Sequence, residues 1–238
     1  MKMRLFLFLF LGLVNVTFAQ KNVFKLYTDS VLLRNDSDLI IADFESRVKK
    51  VDSQVSFNGL KTIVKDNLFS GNYLERTNRI YLPHWPTAPK PIKDFCTQVM
   101  GGKKEGEQLA AMYFYGFFLP HEVGHGLQFN AHVRKDNEYD NEYDANVMAL
   151  LYWRAKGKDK ELAECYRIAK IVLSKLKNPI PENADEKKYF TEHYEEMAQN
   201  ADQYAYMLFK QIVIIFEDKN LPDFNTYIGQ YLAKKPGN

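Results

Sequence analysis

Three features of the chain predict an α+β, α-rich fold. Short β-prone segments are confined to the first third of its 238 residues. The stretch Leu109 to Leu119 is apolar and aromatic nearly all round, which indicates a helix buried on every side. From Tyr143 onward, apolar residues recur at helical spacing between short polar breaks. A small N-terminal sheet followed by a helical body is the expected architecture. The length suits a single domain.

The N-terminus stands apart. Met1-Lys2-Met3-Arg4 carries the only early charges, a dense apolar run follows from Leu5 to Val14, and Thr17-Phe18-Ala19 offers small residues where a signal peptidase reads. This pattern reads as a secretory signal peptide over residues 1–19, cleaved after Ala19, and too short for a comfortable membrane span. The expected location is secreted or periplasmic, with residues 20–238 forming one domain. Without Lys2 and Arg4, the 32 basic residues fall to 30 and match the 30 acidic ones. A balanced chain lacks the basic field that nucleic acid requires, and no membrane span is expected after signal cleavage. Oligomeric state is not legible. Cys96 and Cys165 are open to two readings, one disulfide or two buried thiols, and have no neighbouring cysteine at zinc-site spacing.

Asn22 to Leu33 reads as an opening strand or two short extended pieces. Asn35-Asp36-Ser37-Asp38 reads as turn and cap chemistry before a helix over about Leu39 to Val51. Lys61 to Phe69 and Thr77 to His84 are the next extended candidates. The second ends at Pro83, and its position before the central helix suits an edge strand open to an added peptide. Prolines 83, 86, 89 and 91 mark a surface connection in which His84 and Trp85 are read as packed loop residues. Helices follow at about Ile92 to Val99, closed by Gly101-Gly102, and at about Glu107 to Asn130. Pro120 falls inside the second, removing a hydrogen bond to the carbonyl of Gly116, so a kink or break is expected there. Further helices are read at Tyr143 to Trp153, Lys160 to Leu176, Asp185 to Glu217 with a break near Gln199-Asn200, and Phe224 to Ala233.

The chemistry concentrates at His121-Glu122-Val123-Gly124-His125. Two histidines four apart on a helix share a face, so both imidazoles reach one cation. Zinc suits them, because neutral imidazole is among its preferred ligands and three protein ligands leave one position open. Glu122, following the first histidine, sits where a carboxylate can hold a water beside the metal. A third ligand is needed. His132 falls one residue beyond the position used by one known scheme, and Gln128 replaces that scheme's glycine. Glutamates 138 and 142 both lie in a doubled Asn-Glu-Tyr-Asp. Glu142 is preferred, because Ala145 three residues on permits close helix packing, whereas Asn141 follows Glu138. Asn146 shares a face with Glu142 and can fix a ligand histidine through its second nitrogen.

His121-Glu122-x-x-His125 with Glu142-x-x-Ala145-Asn146 resembles the paired motifs of gluzincin metallopeptidases. It is similar to thermolysin-like enzymes, and closer to the Glu-Tyr-x-Ala-Asp of prenyl-protein-processing and heat-shock membrane peptidases. Asn146 stands where those families usually carry aspartate. The likeness covers about 107–153, with a helical C-terminal part over 158–238. It implies a zincin-like core, one Zn2+ held by His121, His125 and Glu142, Glu122 as general base, and a peptide or protein substrate. It also implies a tyrosine or histidine steadying the oxyanion. His193, Tyr194, Tyr204 and Tyr206 lie in the right part of the chain, and the sequence does not choose among them. The rival reading is a zinc-containing binding or scaffold domain with little or no turnover.

Overall fold

A cap and a stripe of apolar residues set the first helix of the computed structural model, which describes residues 22–234. Asp29 accepts the backbone N–H groups of Val31 and Leu32, and α1 runs over Ser30–Val51. Leu33, Ile40, Ile41, Phe44 and Val48 form its buried face. The expected strand over Asn22 to Leu33 is therefore corrected, as is a helix start at Leu39. The polar run that suggested a turn is satisfied from within a continuous helix. Ser37 donates to Leu33 O (2.7 Å), Asp36 accepts from the Tyr27 hydroxyl (3.0 Å), and Asp38 accepts from Thr62 N (2.9 Å). Side chains that compete with a helix in isolation cease to do so once each has another partner.

The sheet has three strands, β1 (Lys61–Lys65), β2 (Asn72–Leu74) and β3 (Arg79–Pro83), in the order β1-β3-β2. β3 pairs parallel with β1 and antiparallel with β2. It is the central strand, not the expected edge. The proline is the last residue of β3, and His84 N–H makes the next bond, to Lys65 O (3.0 Å), so no donor is missed inside the ladder. The open edge on the other side belongs to β2, too short at three residues to show any alternation in sequence.

The helical body begins with α2 (Lys90–Met100), ended by Gly101 in a left-handed conformation, and α3 (Lys103–Ala110). A π-helical segment, Ala111–Phe117, then leads into α4 (Phe118–Asn130). The interruption expected at Pro120 is thus realised just upstream of it, where Phe118 N–H reaches Tyr113 O, five residues back. Proline leaves the Gly116 carbonyl without its helical donor, and the buried Trp153 Nε1–H supplies one at 3.1 Å. Glycine is needed at 116, since a Cβ there would meet the Phe24 ring at 2.2 Å.

Next comes α5 (Glu138–Ala155), then α6 (Asp159–Lys175), α7 (Glu186–Glu192), α8 (Tyr194–Ala198), α9 (Ala201–Glu217) and α10 (Phe224–Leu232). Asn137 and Asn200 cap α5 and α9 through their side chains. One core joins the sheet, α1 to α6, α9 and α10, while Ile180, Phe190, Met197 and Met207 make a smaller cluster under α7 and α8. Cys96 and Cys165 are both free, buried thiols. Trp85 is buried, and His84 bonds Asp66 and Thr28 O, so this loop is packed as expected. Among the described residues no helix is long and apolar enough to cross a membrane. The expected signal peptide, residues 1–19, lies outside the described residues.

Candidate metal centre

Two helices that approach unusually closely bring the histidines and Glu142 together. Gly124 lies against Ala145, where a Cβ on the glycine would stand 3.2 Å from the alanine Cα. This contact seats α4 on α5, and it is the close packing that a small residue at 145 anticipates. His121 and His125, one helical turn apart on α4, then face Glu142 on α5. Their Nε2 atoms stand 3.1 Å apart. Glu142 Oε2 lies 3.3 Å from His121 Nε2, and its Oε1 lies 3.7 Å from His125 Nε2. The three residues form a group whose donor atoms all lie within 4.8 Å of one another. His132 and Glu138 are not in it. Glu138 is the first residue of α5, and both its oxygens accept from Arg134 Nη2 (2.8 and 2.9 Å).

The hydrogen bonds behind the rings determine which nitrogen faces inward. Gln211 Nε2 donates to the Tyr139 carbonyl (3.0 Å), which can only accept. Gln211 Oε1 therefore receives Asn146 Nδ2–H (3.1 Å), and Asn146 Oδ1 receives His121 Nδ1–H (2.9 Å). The same logic holds on the other ring. Gln128 Nε2 donates to the Asn141 carbonyl (2.9 Å), so its Oε1 accepts His125 Nδ1–H (2.8 Å). Each chain starts at a backbone carbonyl and ends with an Nε2 lone pair pointed at the other histidine. Two lone pairs at that separation repel unless a cation lies between them.

The donor set passes the test of fit for a metal. Ligands on a tetrahedral ion at roughly 2.0–2.1 Å stand about 3.3 Å from each other, close to the separations found. Glu142 Oε2 is buried and accepts no hydrogen bond among the described residues. Electrostatics agree. Burial opposes a charge on His125, but the Glu142 carboxylate outweighs it and lifts the ring to about 9. Burial likewise opposes ionisation of Glu142, yet the two histidines hold it well below the usual carboxylate range. The centre is built to carry a positive charge, and a metal ion can supply it.

Glu122 is buried one residue along from His121. Burial raises its pKa, opposed by the two histidines. Its Oε2 accepts the Tyr73 N–H from β2 at 2.6 Å. β2 therefore turns its outer edge toward Glu122, a link that a three-residue strand does not announce in sequence. Of the four residues left open as oxyanion donors, two come to the centre. The Tyr194 hydroxyl donates to Glu142 Oε1 (2.9 Å), and Tyr204 packs against Tyr194 with ring centres 6.0 Å apart. Burial pushes the pKa of both phenols up, so each keeps its proton. His193 instead stacks on Tyr189 (4.0 Å), and Tyr206 joins the smaller core cluster. Gln128 and Gln211 went unforeseen. Gln128, three residues after His125, carried a readable signal; Gln211, on α9, carried none.

No protein-family model matches the chain, and no curated protein or solved structure matches it.

Proposed function

We propose that this chain is an exported zinc metallopeptidase with a zincin-like core. In this reading His121, His125 and Glu142 hold one Zn2+, and Glu122 is the general base. The observation that carries it is the convergence of three donor atoms, buried or nearly so, beside a carboxylate that is not one of them. A closed structural site uses four protein ligands, whereas three leave a position for water or substrate. Two imidazoles and a carboxylate are a donor set that zinc favours. When bound, zinc supplies Lewis-acid polarisation of a carbonyl and lowers the pKa of water.

The chain's own residues divide the remaining work. Glu122 Oε2 is occupied by the Tyr73 N–H, which orients the carboxylate and leaves Oε1 to take a proton from water. Its raised pKa makes it a better proton acceptor. Tyr194 is committed to Glu142 and acts as a positioning residue for that ligand. Tyr204 lines the same cavity as Glu122 and retains its proton, which suits it to steady the oxyanion of a peptide carbonyl under attack. The substrates would be extracellular or periplasmic polypeptides, a location that rests on the pattern of residues 1–19 alone.

Glu122→Gln tests this assignment. The amide keeps size and hydrogen bonding but accepts no proton. Zinc content should therefore be unchanged while peptide hydrolysis falls about a hundredfold or more. Should the wild type hold zinc yet cleave nothing across a broad peptide library, the binding-domain reading replaces this one.

A further inference from the structure

Gly106 lets α3 press onto the backbone of α2. A Cβ at this position would stand 2.8 Å from Cys96 C and from Thr97 N. The close contact brings Lys103 and Glu107 of α3, with Lys93 and Thr97 of α2, to the wall of one cavity of about 330 Å³. Leu26 and Thr28, from the segment before α1, and Trp85 and Pro86, from the turn after β3, complete it. None of these residues borders the cavity beside His121 and Glu122.

Hydrogen bonds hold the walls of this second cavity. His84 Nε2–H donates to the Thr28 carbonyl (3.0 Å), and Trp85 N–H donates to the Tyr115 hydroxyl (3.1 Å). Lys93 Nζ donates to Pro86 O (3.0 Å), which joins α2 to the turn. A site tied in this way loses little freedom when a ligand enters.

Size and chemistry limit what fits. Small-molecule pockets run from roughly 300 to 1,000 Å³ and are mostly apolar, with a few polar groups that orient the ligand. Here Leu26, Trp85 and Pro86 supply the apolar surface. The Lys93 ammonium lies 5.9 Å from the centre of the Trp85 ring, so a positive charge adjoins that surface. Among the described residues Lys93 pairs with no carboxylate, and the Thr28 and Thr97 hydroxyls have no hydrogen-bond partner. Lys103 Nζ stands 4.0 Å from Glu107 Oε1, at the limit of an ion pair. Two ammonium groups against one carboxylate leave the wall with an excess positive charge. A divalent cation would meet that excess with a single carboxylate for a ligand, and a polyanion would find too few cations to hold it.

We propose that this cavity binds a small organic monoanion, an apolar or aromatic body carrying one carboxylate. The body lies against Leu26, Trp85 and Pro86, the carboxylate meets Lys93 and Lys103, and the two threonine hydroxyls donate to it. The site is independent of the metal centre and of the peptidase reading.

Three probes test it on the full zinc-loaded chain by calorimetry: 3-phenylpropionate, its neutral amide, and acetate. The phenyl carboxylate should bind below about 1 mM, and the amide and acetate at least about fivefold more weakly. Lys93→Met keeps the apolar stem but removes the charge, and should abolish the preference for carboxylate over amide. Lys103→Met, on an exposed side chain, makes the same test if the first variant does not fold. Glu107→Gln removes the opposing charge and should tighten the carboxylate about twofold or more. Glu142→Ala should leave binding as in wild type. Absence of binding below about 1 mM, or equal affinity for acid and amide, overturns the proposal. Binding that survives Lys93→Met and Lys103→Met but is lost in Glu142→Ala would place the carboxylate on the metal and overturn it too.

Discussion

At the scale of single residues, the doubled Asn-Glu-Tyr-Asp provides an internal control. Glu138 and Glu142 share their local sequence, yet Glu142 faces two imidazoles and Glu138 faces Arg134. Glu142→Ala should therefore abolish tight zinc binding. Glu138→Ala should keep most of it, since loss of an outer neighbour costs about ten- to a hundredfold at most. Competition with a chromogenic chelator measures both, and the reverse ranking would reject Glu142 as the ligand. The proton on His125 gives a second prediction. Its folded pKa of about 9 lies above the ordinary 6.5. The stability this proton confers on the metal-free protein is complete below about 6.5 and is lost as pH rises through about 9. A bound zinc ion would take the proton's place, so apparent zinc affinity should climb with pH up to about 9, with a proton released on binding. Calorimetric zinc titrations in two buffers of different ionisation heat would report the proton. A pH-independent affinity with no proton release would contradict the arrangement.

Secondary-structure elements show where sequence reasoning reaches and where it stops. His121, Glu122 and His125 are legible because their spacing is itself the geometry of one helix face. Glu142 and Asn146 follow from Ala145, which marks the approach of α5. The cap of α9 at Asn200 and the αL glycine after α2 are local chemistry and were equally readable. The start of α1 is hidden from a local reading because Ser37, Asp36 and Asp38 find partners at Leu33, Tyr27 and Thr62; two of those are tertiary or cross-element contacts invisible in a local window. β3 reads as an edge strand from its place before the central helix, and β2, its second neighbour, is too short to have a pattern that would correct this. Pro120 signalled an interruption correctly, but the form it takes depends on Trp153, 37 residues from Gly116. That bond is testable. Trp153→Phe leaves the Gly116 carbonyl buried without its donor, which should cost about 1–3 kcal/mol on top of any loss of packing. A urea unfolding midpoint unchanged from wild type would show that the π-helical segment does not depend on Trp153.

Over the whole molecule, the candidate centre is where separate parts of the chain meet. α4 and α5 supply the three donors, β2 reaches Glu122 through Tyr73, α8 reaches Glu142 through Tyr194, and α9 braces His121 through Gln211 and Asn146. An ion bound there would tie these elements to one another and should raise thermal stability in proportion to its affinity. The proposed role of this convergence is peptide hydrolysis with zinc. Its most direct test is cleavage of a random peptide mixture by the purified chain, followed by mass spectrometry, in three states: as purified, after chelator treatment, and after zinc is returned. Cleavage is expected as purified, none after chelation, and recovery with about one zinc per chain. Cleavage that persists in metal-free protein, or a zinc-loaded chain that cuts nothing in the mixture, would contradict it.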